Sequence, residues 1–303
     1  MRVFVIGATG YVGSAIAKAL KDRGHEVLGS ARTDDASRKL REAEVEPATS
    51  DVTQPQSLVA PAQRADGVVY AVQYNGSDGA QVEGAALSTL VDALGSGKVF
   101  VYTSGVWIYG NTGERIADEN AALDPTPLVE HRPQLERVVL DGVARGVRAV
   151  VIRPAAVYGH GGGIPAMWVQ SASATGAARF VGDGRNHWPM VHADDLAQLY
   201  VLALESAASG TIYNAADETW FTVAEMAEAA SHGAGRNGKV VSWPLEEARN
   251  TLGAFADALA LDSRVSSKRA QTQLGWRTRA ATALDDLRTG SYAMQAGGHQ
   301  PGA

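Results

Sequence analysis

The sequence opens with Val3-Phe-Val-Ile-Gly7-Ala-Thr-Gly10-Tyr-Val-Gly13, an apolar run followed by three glycines at G-x-x-G-x-x-G spacing. The run at 3–6 predicts a buried strand, and a helical pattern follows over 11–20. Glycines at this spacing allow a tight turn, close approach of a pyrophosphate to the backbone, and close packing of helix on strand. The pattern predicts a dinucleotide site. The alternative is a tight strand-to-helix turn without a ligand.

Composition narrows the class of protein. The chain has 303 residues, 45% of them hydrophobic, a net charge of −6 and no cysteine. A basic run is missing, so nucleic acid and acidic membrane surfaces are not expected partners. Disulfides, thiolate metal sites and a cysteine nucleophile are excluded. Neither a signal peptide nor an apolar run of membrane-spanning length is present. We expect a soluble cytoplasmic protein, as monomer or homodimer, with a small-molecule substrate.

The end of the second predicted strand, residues 24–32, bears on cofactor choice. An acidic residue at this point would hold the adenosine ribose hydroxyls, as in NAD binders. Ala31 stands there instead, and Arg32 follows. Because a guanidinium grips phosphate with a fork of donors, we expect NADP(H). The alternatives are NAD(H) and an arginine that is merely exposed.

Strands and helices alternate through the first half of the chain. Further strands are predicted at the end of a third run near 50 and at 67–72, 98–102 and 149–159, and helices at 79–94 and 127–145. This alternation indicates an α/β fold with a Rossmann-type, doubly wound parallel sheet. Ligands bind at the carboxyl ends of such strands, so residues 7–13, 103–105 and 153–158 are expected to converge on one crevice.

Two strand ends are expected to contact the adenosine. The Asp51 carboxylate can accept a hydrogen bond from an adenine amino group, and Val52 can pack on the ring; Asp51 could equally cap the next helix. Ala71, which ends the fourth strand, is small enough to leave room for the adenosine half of the cofactor.

The composition changes after residue 160. A Gly-rich loop and five of the six tryptophans follow. We therefore predict a dinucleotide-binding domain at 1–160, to which a segment at about 190–215 returns, a smaller C-terminal substrate lobe mainly at 161–290, and a flexible tail at 291–303. Helices are expected at 193–205 and at 223–230, the second with a capping box.

Six motifs occur in order, and together they resemble one family. They are Gly7-Ala-Thr-Gly10-Tyr-Val-Gly13, Asp51-Val52, Thr103-Ser104 before Tyr109-Gly110, Arg153-Pro154 before Val157-Tyr158-Gly159, Val191-His-Ala-Asp194-Asp195-Leu-Ala197 and Leu274-Gly-Trp276. The chain resembles the extended short-chain dehydrogenases/reductases of the NAD(P)-dependent epimerase/dehydratase family. The resemblance implies a nicotinamide cofactor. We expect cofactor contacts at Gly7, Thr9, Gly10, Tyr11, Val12, Gly13, Ala31, Arg32, Asp51, Val52, Ala71, Thr103, Arg132, Pro154 and Val157.

The sequence departs from the family at its catalytic residues. The family carries Tyr-x-x-x-Lys, with Glu four residues later; counted back from Glu136, these positions hold Leu128 and Arg132. Leu128 performs no proton chemistry, and Arg132 can hold ribose hydroxyls but remains a fixed cation. His131, one helical turn from Leu128, is our candidate general acid. Ser104 lies one position before the family's catalytic Ser or Thr and is a candidate hydrogen-bond donor to substrate. Water is the remaining proton source.

The substrate side also differs from nucleotide-sugar enzymes of the family. Such members tend to have an arginine six residues before the position of Asp194, where Trp188 stands here; Arg185 lies nearby. With Tyr74, Trp107, Trp168 and Trp220 on other loops, the pattern predicts a flat or apolar substrate, although tryptophan is also commonly buried in cores. The histidines, His160, His187 and His192 among them, form no metal-ligand spacing, so no metal is expected.

Three functions are compatible with the sequence. The first is an NADP(H)-dependent oxidoreductase that acts on a carbonyl, enone or imine of a small organic molecule, with Ser104, His131 and Arg132 at the reacting centre. The second is a cofactor-dependent epimerase, isomerase or dehydratase, in which the nicotinamide is transiently reduced. The third is a binding module that senses NADP(H) without catalysis.

Overall fold

The computed structural model describes residues 1–74 and 76–293. The predicted flexible tail lies outside the described residues from position 294 onward. The strands are β1 Arg2–Ile6, β2 Glu26–Ala31, β3 Glu46–Thr49, β4 Gly67–Tyr70, β5 Val99–Thr103, β6 Ile116–Ala117, β7 Arg148–Pro154, β8 Ala156–Tyr158, β9 Ala178–Val181, β10 Met190–His192, β11 Thr211–Ala215, β12 Val240–Trp243 and β13 Arg264–Val265.

Twelve α-helices are formed by the described residues. They are α1 Tyr11–Asp22, α2 Asp34–Glu42, α3 Val59–Arg64, α4 Gly79–Ala93, α5 Arg132–Leu140, α6 Ala166–Thr175, α7 Ala193–Ser206, α8 Val223–Gly233, α9 Leu245–Leu252, α10 Ala254–Leu259, α11 Lys268–Leu274 and α12 Ala283–Thr289. Short 3₁₀ helices occupy Pro55–Leu58, Val106–Tyr109 and Asp141–Arg145. None of the described helices is both long and apolar enough to span a membrane.

The centre of the molecule is a parallel sheet of seven strands in the order β11-β7-β5-β4-β1-β2-β3. Its middle strands are buried on both faces, as the continuous apolar runs of β1, β4 and β5 require. Successive side chains of β1 alternate between two cores: Val3 and Val5 pack with α1 and α7, whereas Phe4 and Ile6 pack with α3, α4 and α5. The doubly wound α/β fold predicted from the sequence is confirmed.

A smaller lobe sits beyond the carboxyl end of the sheet and has its own apolar core. That core is formed by α6, α8, α9, α10 and α12 with the two-stranded sheets β8-β10 and β9-β12. The chain does not stay in this lobe, because α7 and β11 return to the large sheet, where β11 pairs with β7. Helix α8 begins with the expected capping box between Thr222 and Glu225, and it extends to Gly233.

One predicted helix is much shorter than expected. The sequence suggested a helix over 127–145, but the residues before Arg132 form turns and α5 spans only Arg132–Leu140. Pro133 explains the late start: it has no N–H to donate to the Val129 carbonyl oxygen, so a helix from 127 could not continue through it, whereas proline is favoured in a first helical turn. The last predicted turns, Asp141–Arg145, are a 3₁₀ helix that ends at Gly146 in the left-handed region.

Candidate active site

The glycine turn between β1 and α1 is tightly packed. Gly7 has a φ of +92°, and a Cβ there would lie 2.5 Å from the Ala71 carbonyl oxygen. A Cβ at Gly13 would lie 2.0 Å from the Gly7 carbonyl oxygen, so no side chain fits between helix and strand. Gly10 is the N-cap of α1 without a side-chain cap. Its position leaves the first-turn N–H groups of α1 open to an anion.

A cavity of about 610 Å³ lies next to this turn. Its lining includes Gly7, Thr9, Gly10, Arg32, Val52, Ala71 and Tyr74, all of which the sequence analysis selected. The Arg32 side chain is exposed, and it makes no hydrogen bond or ion pair with another described residue. The cavity is therefore lined both by an available guanidinium and by the glycine turn, two groups that can each bind a phosphate.

Three residues predicted to contact cofactor line neither this cavity nor the one that continues from it: Gly13, Ala31 and Asp51. Ala31 is 2% exposed and belongs to the core, and Gly13 acts through packing of α1 against the turn. The Asp51 carboxylate accepts the backbone N–H of Thr53 at 2.9 Å. One of its oxygens is thus used within its own turn, and the side chain does not cap the following helix, whose N-cap is Gln54.

A second cavity of about 330 Å³ continues from the first, because Ala71, Val72 and Gln73 line both. We call this second cavity the crevice. Of the predicted residues, it brings together Tyr11, Val12, Thr103, Ser104, Trp107, Arg132, Pro154 and Val157. Leu128 is also in its wall, at the position where the family pattern has a tyrosine. The expected convergence of the three strand ends is therefore present.

Arg132 is fixed in the crevice wall by the end of β5. Its Nη1 donates to the Thr103 carbonyl oxygen at 3.0 Å and to the Tyr102 hydroxyl at 3.3 Å, and the residue is buried. The guanidinium therefore sits beside the backbone that leads into Ser104. It retains further donors, since Arg carries five N–H groups in a planar fork.

Ser104 is buried, and its hydroxyl has no partner among the described residues. Its backbone N–H donates to the Ile152 carbonyl oxygen at 2.8 Å, which fixes the residue between β5 and β7. The Oγ atom itself is buried without a hydrogen-bond acceptor or donor in the described part of the chain. A buried hydroxyl without a hydrogen-bond partner is unfavourable. Because Ser104 lines the crevice, a ligand bound there can supply the missing partner.

His131 does not occupy the place that the sequence analysis gave it. It is not among the residues that line the crevice, whereas Leu128 and Arg132 on either side of it are. Because residues before Arg132 form turns rather than helix, a spacing of three does not bring His131 onto the face of Leu128. Burial and the neighbouring Arg132 both lower the pKa of His131. The ring is therefore favoured in its neutral form, which is unsuited to a general acid.

The aromatic residues expected around the substrate separate into different places. Trp107 lines the crevice, and Tyr74 lines the adjoining cavity. Trp168 and Trp188 stack on each other with ring centroids 5.2 Å apart, and both are core residues of the smaller lobe. Trp188 also donates its Nε1–H to the Leu259 carbonyl oxygen. Neither Trp220 nor Arg185 is among the residues that line the crevice, and Arg185 is exposed. The two stacked indoles fill the apolar core of the smaller lobe, and this accounts for their position.

Several residues at the site were missed by reading the sequence. Gln73, Gly163 and Ile164 line the crevice from loops whose composition carries no signal of this role. Glu83, on α4, is 1% exposed and accepts the backbone N–H of Tyr74 at 2.9 Å. Burial raises the pKa of this carboxyl. The sequence offered one sign that Glu83 is buried: it lies among the apolar residues of α4.

One group of potential metal ligands is formed by the described residues. His160, His192 and Asp194 place one ligand atom each within 4.8 Å of the others, although they are separated in sequence. His160 and Asp194 are more than half exposed, and their side chains are 2.9 Å apart. The Nδ1 of His192 accepts the backbone N–H of Asp194, so this nitrogen already serves the N-terminus of α7. The absence of a metal remains a prediction.

Comparison with known proteins establishes the family. The chain matches the NAD dependent epimerase/dehydratase family over residues 3–216. It is 30% identical over 304 residues to an uncharacterized protein of Schizosaccharomyces pombe, a match that covers 96% of this chain and 100% of the relative. It is 24% identical over 225 residues to a 4-hydroxy-2-methyl-3-oxo-4-farnesyl-3,4-dihydroquinoline-1-oxide ketoreductase of Stigmatella aurantiaca, covering 70% of this chain and 67% of that protein.

Solved structures share the fold. A Thermus thermophilus UDP-glucose 4-epimerase in complex with NAD superposes with a TM-score of 0.79 at 21% identity, covering 96% of this chain and 98% of the other. A human epimerase family protein with NADPH gives a TM-score of 0.74 at 21% identity, covering 97% and 100% of the two chains.

The chain belongs to the NAD dependent epimerase/dehydratase family. It is accordingly an enzyme of the nicotinamide-dependent oxidoreductase type. The residues present fit such a cofactor: the glycine turn is a cradle that a Cβ would obstruct, and the cavity beside it leads into the crevice. When bound, a nicotinamide supplies or accepts a hydride. Arg32 and the glycine turn line the first cavity and would hold the adenosine and pyrophosphate parts, and Arg132 in the crevice would hold the nicotinamide ribose.

Proposed function

We propose that this protein is an NADP(H)-dependent oxidoreductase that acts on a carbonyl, enone or imine of a small apolar organic molecule. One observation supports the proposal: Ser104, Arg132 and Leu128 all line the crevice, whose wall is otherwise mostly apolar. A hydroxyl and a cation are suited to a polar C=O or C=N group, and the surrounding side chains are suited to an apolar body. The name of the Stigmatella aurantiaca relative, a ketoreductase for a farnesylated quinoline derivative, supports the same substrate class.

The preference for NADP(H) is supported by Arg32. Its guanidinium lines the adenosine-side cavity and lacks a partner among the described residues, so a 2′-phosphate would gain its donors without breaking an existing ion pair. A charge-assisted contact of this kind contributes about 1.5–3 kcal/mol, which is roughly 10- to 150-fold in affinity.

Calorimetric titration of NADPH and NADH tests this preference. Arg32→Ala is expected to weaken NADPH binding by about 10- to 150-fold and to leave NADH binding nearly unchanged. Arg41→Ala, on the exposed surface of α2, is the matched control and should alter neither affinity. Equal affinities for both cofactors in the unmodified protein, or unchanged NADPH binding by Arg32→Ala, would show that Arg32 does not select the cofactor.

The proton in the proposed reaction comes from water rather than from a side chain. Leu128 replaces the phenol of the family pattern, and His131 lies outside the crevice lining. The Tyr11 phenol lines the crevice, but it donates to the Gly159 carbonyl oxygen at 2.7 Å, and burial together with Tyr292 raises its pKa. Ser104 orients the substrate oxygen, and Arg132 stabilises negative charge that develops near it.

A second candidate function is favoured by the family itself. Several members with the same fold are named as epimerases or dehydratases, and such enzymes would return the nicotinamide to its starting oxidation state. The absorbance of reduced nicotinamide during turnover separates the two functions. A stoichiometric change in this absorbance supports the oxidoreductase, whereas product formation without a net change supports an epimerase or dehydratase.

A further inference from the structure

We propose that the crevice contains a binding site for a planar, conjugated oxyanion, and that the preferred substrates are therefore conjugated enones rather than saturated ketones. The site consists of Ser104 and Arg132. This inference rests on the proposed function, which supplies the reduced nicotinamide. The binding of an oxyanion by Ser104 and Arg132 can nevertheless be tested without any reaction of the cofactor.

The charge at the site is uncompensated by an ion pair. Of the described residues that line the crevice, Arg132 alone carries a formal charge. The nearby acidic groups form no ion pair with it. Glu136 is paired with Arg153. Glu83 accepts the Tyr74 backbone N–H through one carboxylate oxygen, and its other oxygen is buried without a partner among the described residues. Burial raises the pKa of the Glu83 carboxyl, and the charge of Arg132 acts in the opposite direction. No carboxylate in the described part of the chain lies within 4.0 Å of the Arg132 guanidinium nitrogens as an ion-pair partner. A buried cation without a partner favours an anionic or strongly polar ligand.

The second donor is the Ser104 hydroxyl. Its Oγ is buried and unpartnered among the described residues, and Ser104 follows Thr103, whose carbonyl oxygen accepts the Arg132 hydrogen bond. Both groups are therefore held at one short segment at the end of β5. Rigid donors that need no rearrangement are effective at stabilising an oxyanion. The apolar remainder of the wall, which includes Val106, Trp107 and Leu128, accommodates a flat carbon skeleton.

The chemistry of the two carbonyl classes differs in when a proton is needed. Hydride addition at the carbonyl carbon of a saturated ketone breaks the C=O π bond and leaves an alkoxide, a strong base that requires a proton at that oxygen. Hydride addition at the β-carbon of an enone breaks the C=C π bond and leaves an enolate, whose charge is shared between oxygen and the α-carbon. Water then protonates the α-carbon and hydroxide is released. A site that offers hydrogen-bond donors and a cation, but no positioned general acid, is therefore suited to hydride addition at the β-carbon of an enone.

Binding of 4-nitrophenol tests the oxyanion site without any reaction. Its ionised form absorbs visible light and is a planar, conjugated oxyanion; 4-nitroanisole is a neutral compound of similar shape. We expect the protein, with or without NADP⁺, to favour the bound phenolate by about tenfold or more over the phenol, the effect of one charge-assisted hydrogen bond. The spectrum of the bound probe across pH measures this ratio.

Three variants make the test specific. Ser104→Ala and Arg132→Gln are each expected to reduce the preference for phenolate by about tenfold. Arg137→Gln, on the exposed side of the same helix α5, is the control and should bind the phenolate as the unmodified protein does. Circular dichroism checks that the variants are folded. If Arg132→Gln does not fold, Ser104→Ala decides the question, because removal of an orphaned hydroxyl should not destabilise the protein. Equal binding of 4-nitrophenolate and 4-nitroanisole, or an unchanged preference in Ser104→Ala, would overturn the proposal.

A matched substrate pair extends the test to reactivity. With NADPH in D₂O, 2-cyclohexenone should be reduced at least about tenfold faster than cyclohexanone, and the ketone product should carry deuterium at the α-carbon. Faster reduction of cyclohexanone would overturn the preference for enones. Calorimetry with NADPH on the same preparation distinguishes failure of the proposed function from failure of the oxyanion site. Failure to bind NADPH contradicts the proposed function, whereas normal NADPH binding without preference for phenolate contradicts the oxyanion site alone.

Discussion

At the scale of single residues, Leu128 and His131 show how a local turn decides which side chain reaches the substrate. Leu128 lines the crevice, and His131 does not. The two are three positions apart, but the backbone between them is not helical. The position of the family's phenol is thus occupied by an inert side chain, and the nearby imidazole lies outside the wall where a proton would be needed.

His131→Ala is therefore expected to be nearly silent. Turnover should stay within about threefold of the unmodified protein, which is less than about 1 kcal/mol of barrier, because the ring is outside the crevice lining. A general acid would instead contribute about 10²–10⁴-fold. Single-turnover rates with a substrate found by screening measure the difference. Ser104→Ala serves as the positive comparison, with an expected loss of roughly 10²-fold for removal of an oxyanion donor. A large loss in His131→Ala would restore His131 as the acid.

Some site residues could be predicted from the sequence and others could not. The place of the glycine turn and Arg32 beside one cavity was accessible, because it depends on short-range backbone geometry and on position at a strand end. The orphaned hydroxyl of Ser104 was not, since it depends on what surrounds the side chain in three dimensions. The place of Trp168 and Trp188 stayed open for a related reason: an indole in a core and an indole in a pocket have the same sequence pattern, and the structure stacks this pair in the core of the smaller lobe.

At the scale of elements, helix α5 is attached to the sheet by a buried ion pair. Arg153 on β7 donates from Nε and Nη2 to the two carboxylate oxygens of Glu136 at 2.9 and 2.6 Å. Its Nη1 donates to the Tyr109 hydroxyl at 2.7 Å, and Tyr109 in turn donates to Asn214 on β11. Four segments of the chain are joined in this way. The pair fixes the helix that begins with Arg132, and so it fixes one wall of the crevice.

Breaking this pair should be costly, whereas replacing both partners should not. Arg153→Met leaves the Glu136 carboxylate buried without its partner and is expected to lower the free energy of unfolding by about 3–5 kcal/mol. The double variant Glu136→Leu with Arg153→Met should recover a large part of that loss. Urea denaturation measures both. Lys18→Met, which removes an exposed ion pair with Asp22, is the control and should have no measurable effect. An equally destabilised double variant would show that packing, rather than the unpaired charge, accounts for the loss.

The sheet was more predictable than this helix. Its strands have apolar runs bounded by turn residues, and their alternation with helices indicates a parallel, doubly wound sheet. The start of α5 was placed too early, at 127 instead of Arg132, because the apolar pattern continues through Leu128 and Val129, although Pro133 has no N–H to join that turn to the helix. The spacing of apolar residues alone does not reveal how a proline restricts the backbone.

At the scale of the whole molecule, the C-terminal segment fastens a loop of the crevice. The Tyr292 hydroxyl accepts the backbone N–H of Gly159 at 2.9 Å and donates to the Gly162 carbonyl oxygen at 2.5 Å. The loop packs on Tyr11, since a Cβ at Gly162 would lie 2.5 Å from the Tyr11 ring. It continues into Ile164 in the crevice wall. Distant ends of the chain therefore cooperate in shaping one side of the site.

Tyr292→Phe is expected to loosen this loop while preserving the fold. Removal of the hydroxyl leaves a largely buried N–H and C=O without their partner, which should lower the free energy of unfolding by about 1–3 kcal/mol. Amide hydrogen exchange at Gly159 and Gly162 should accelerate, while exchange in β1 and β4 should not. Tyr213→Phe, which removes a single bond to Gln273 elsewhere, is the comparison. Unchanged exchange at the two glycines would mean that other contacts hold the loop.

The return of the chain to the sheet limits how this enzyme can be recombined with its relatives. The edge strand β11 and helix α7 are encoded between two stretches that build the smaller lobe. A chimera with one junction after residue 160 would import a foreign edge strand along with the foreign lobe, and its side chains would have to match β7 and α1. A chimera that takes its smaller lobe, and with it the substrate preference, from a relative therefore needs at least three junctions. Both lobe segments are then replaced, and residues 190–215 are kept.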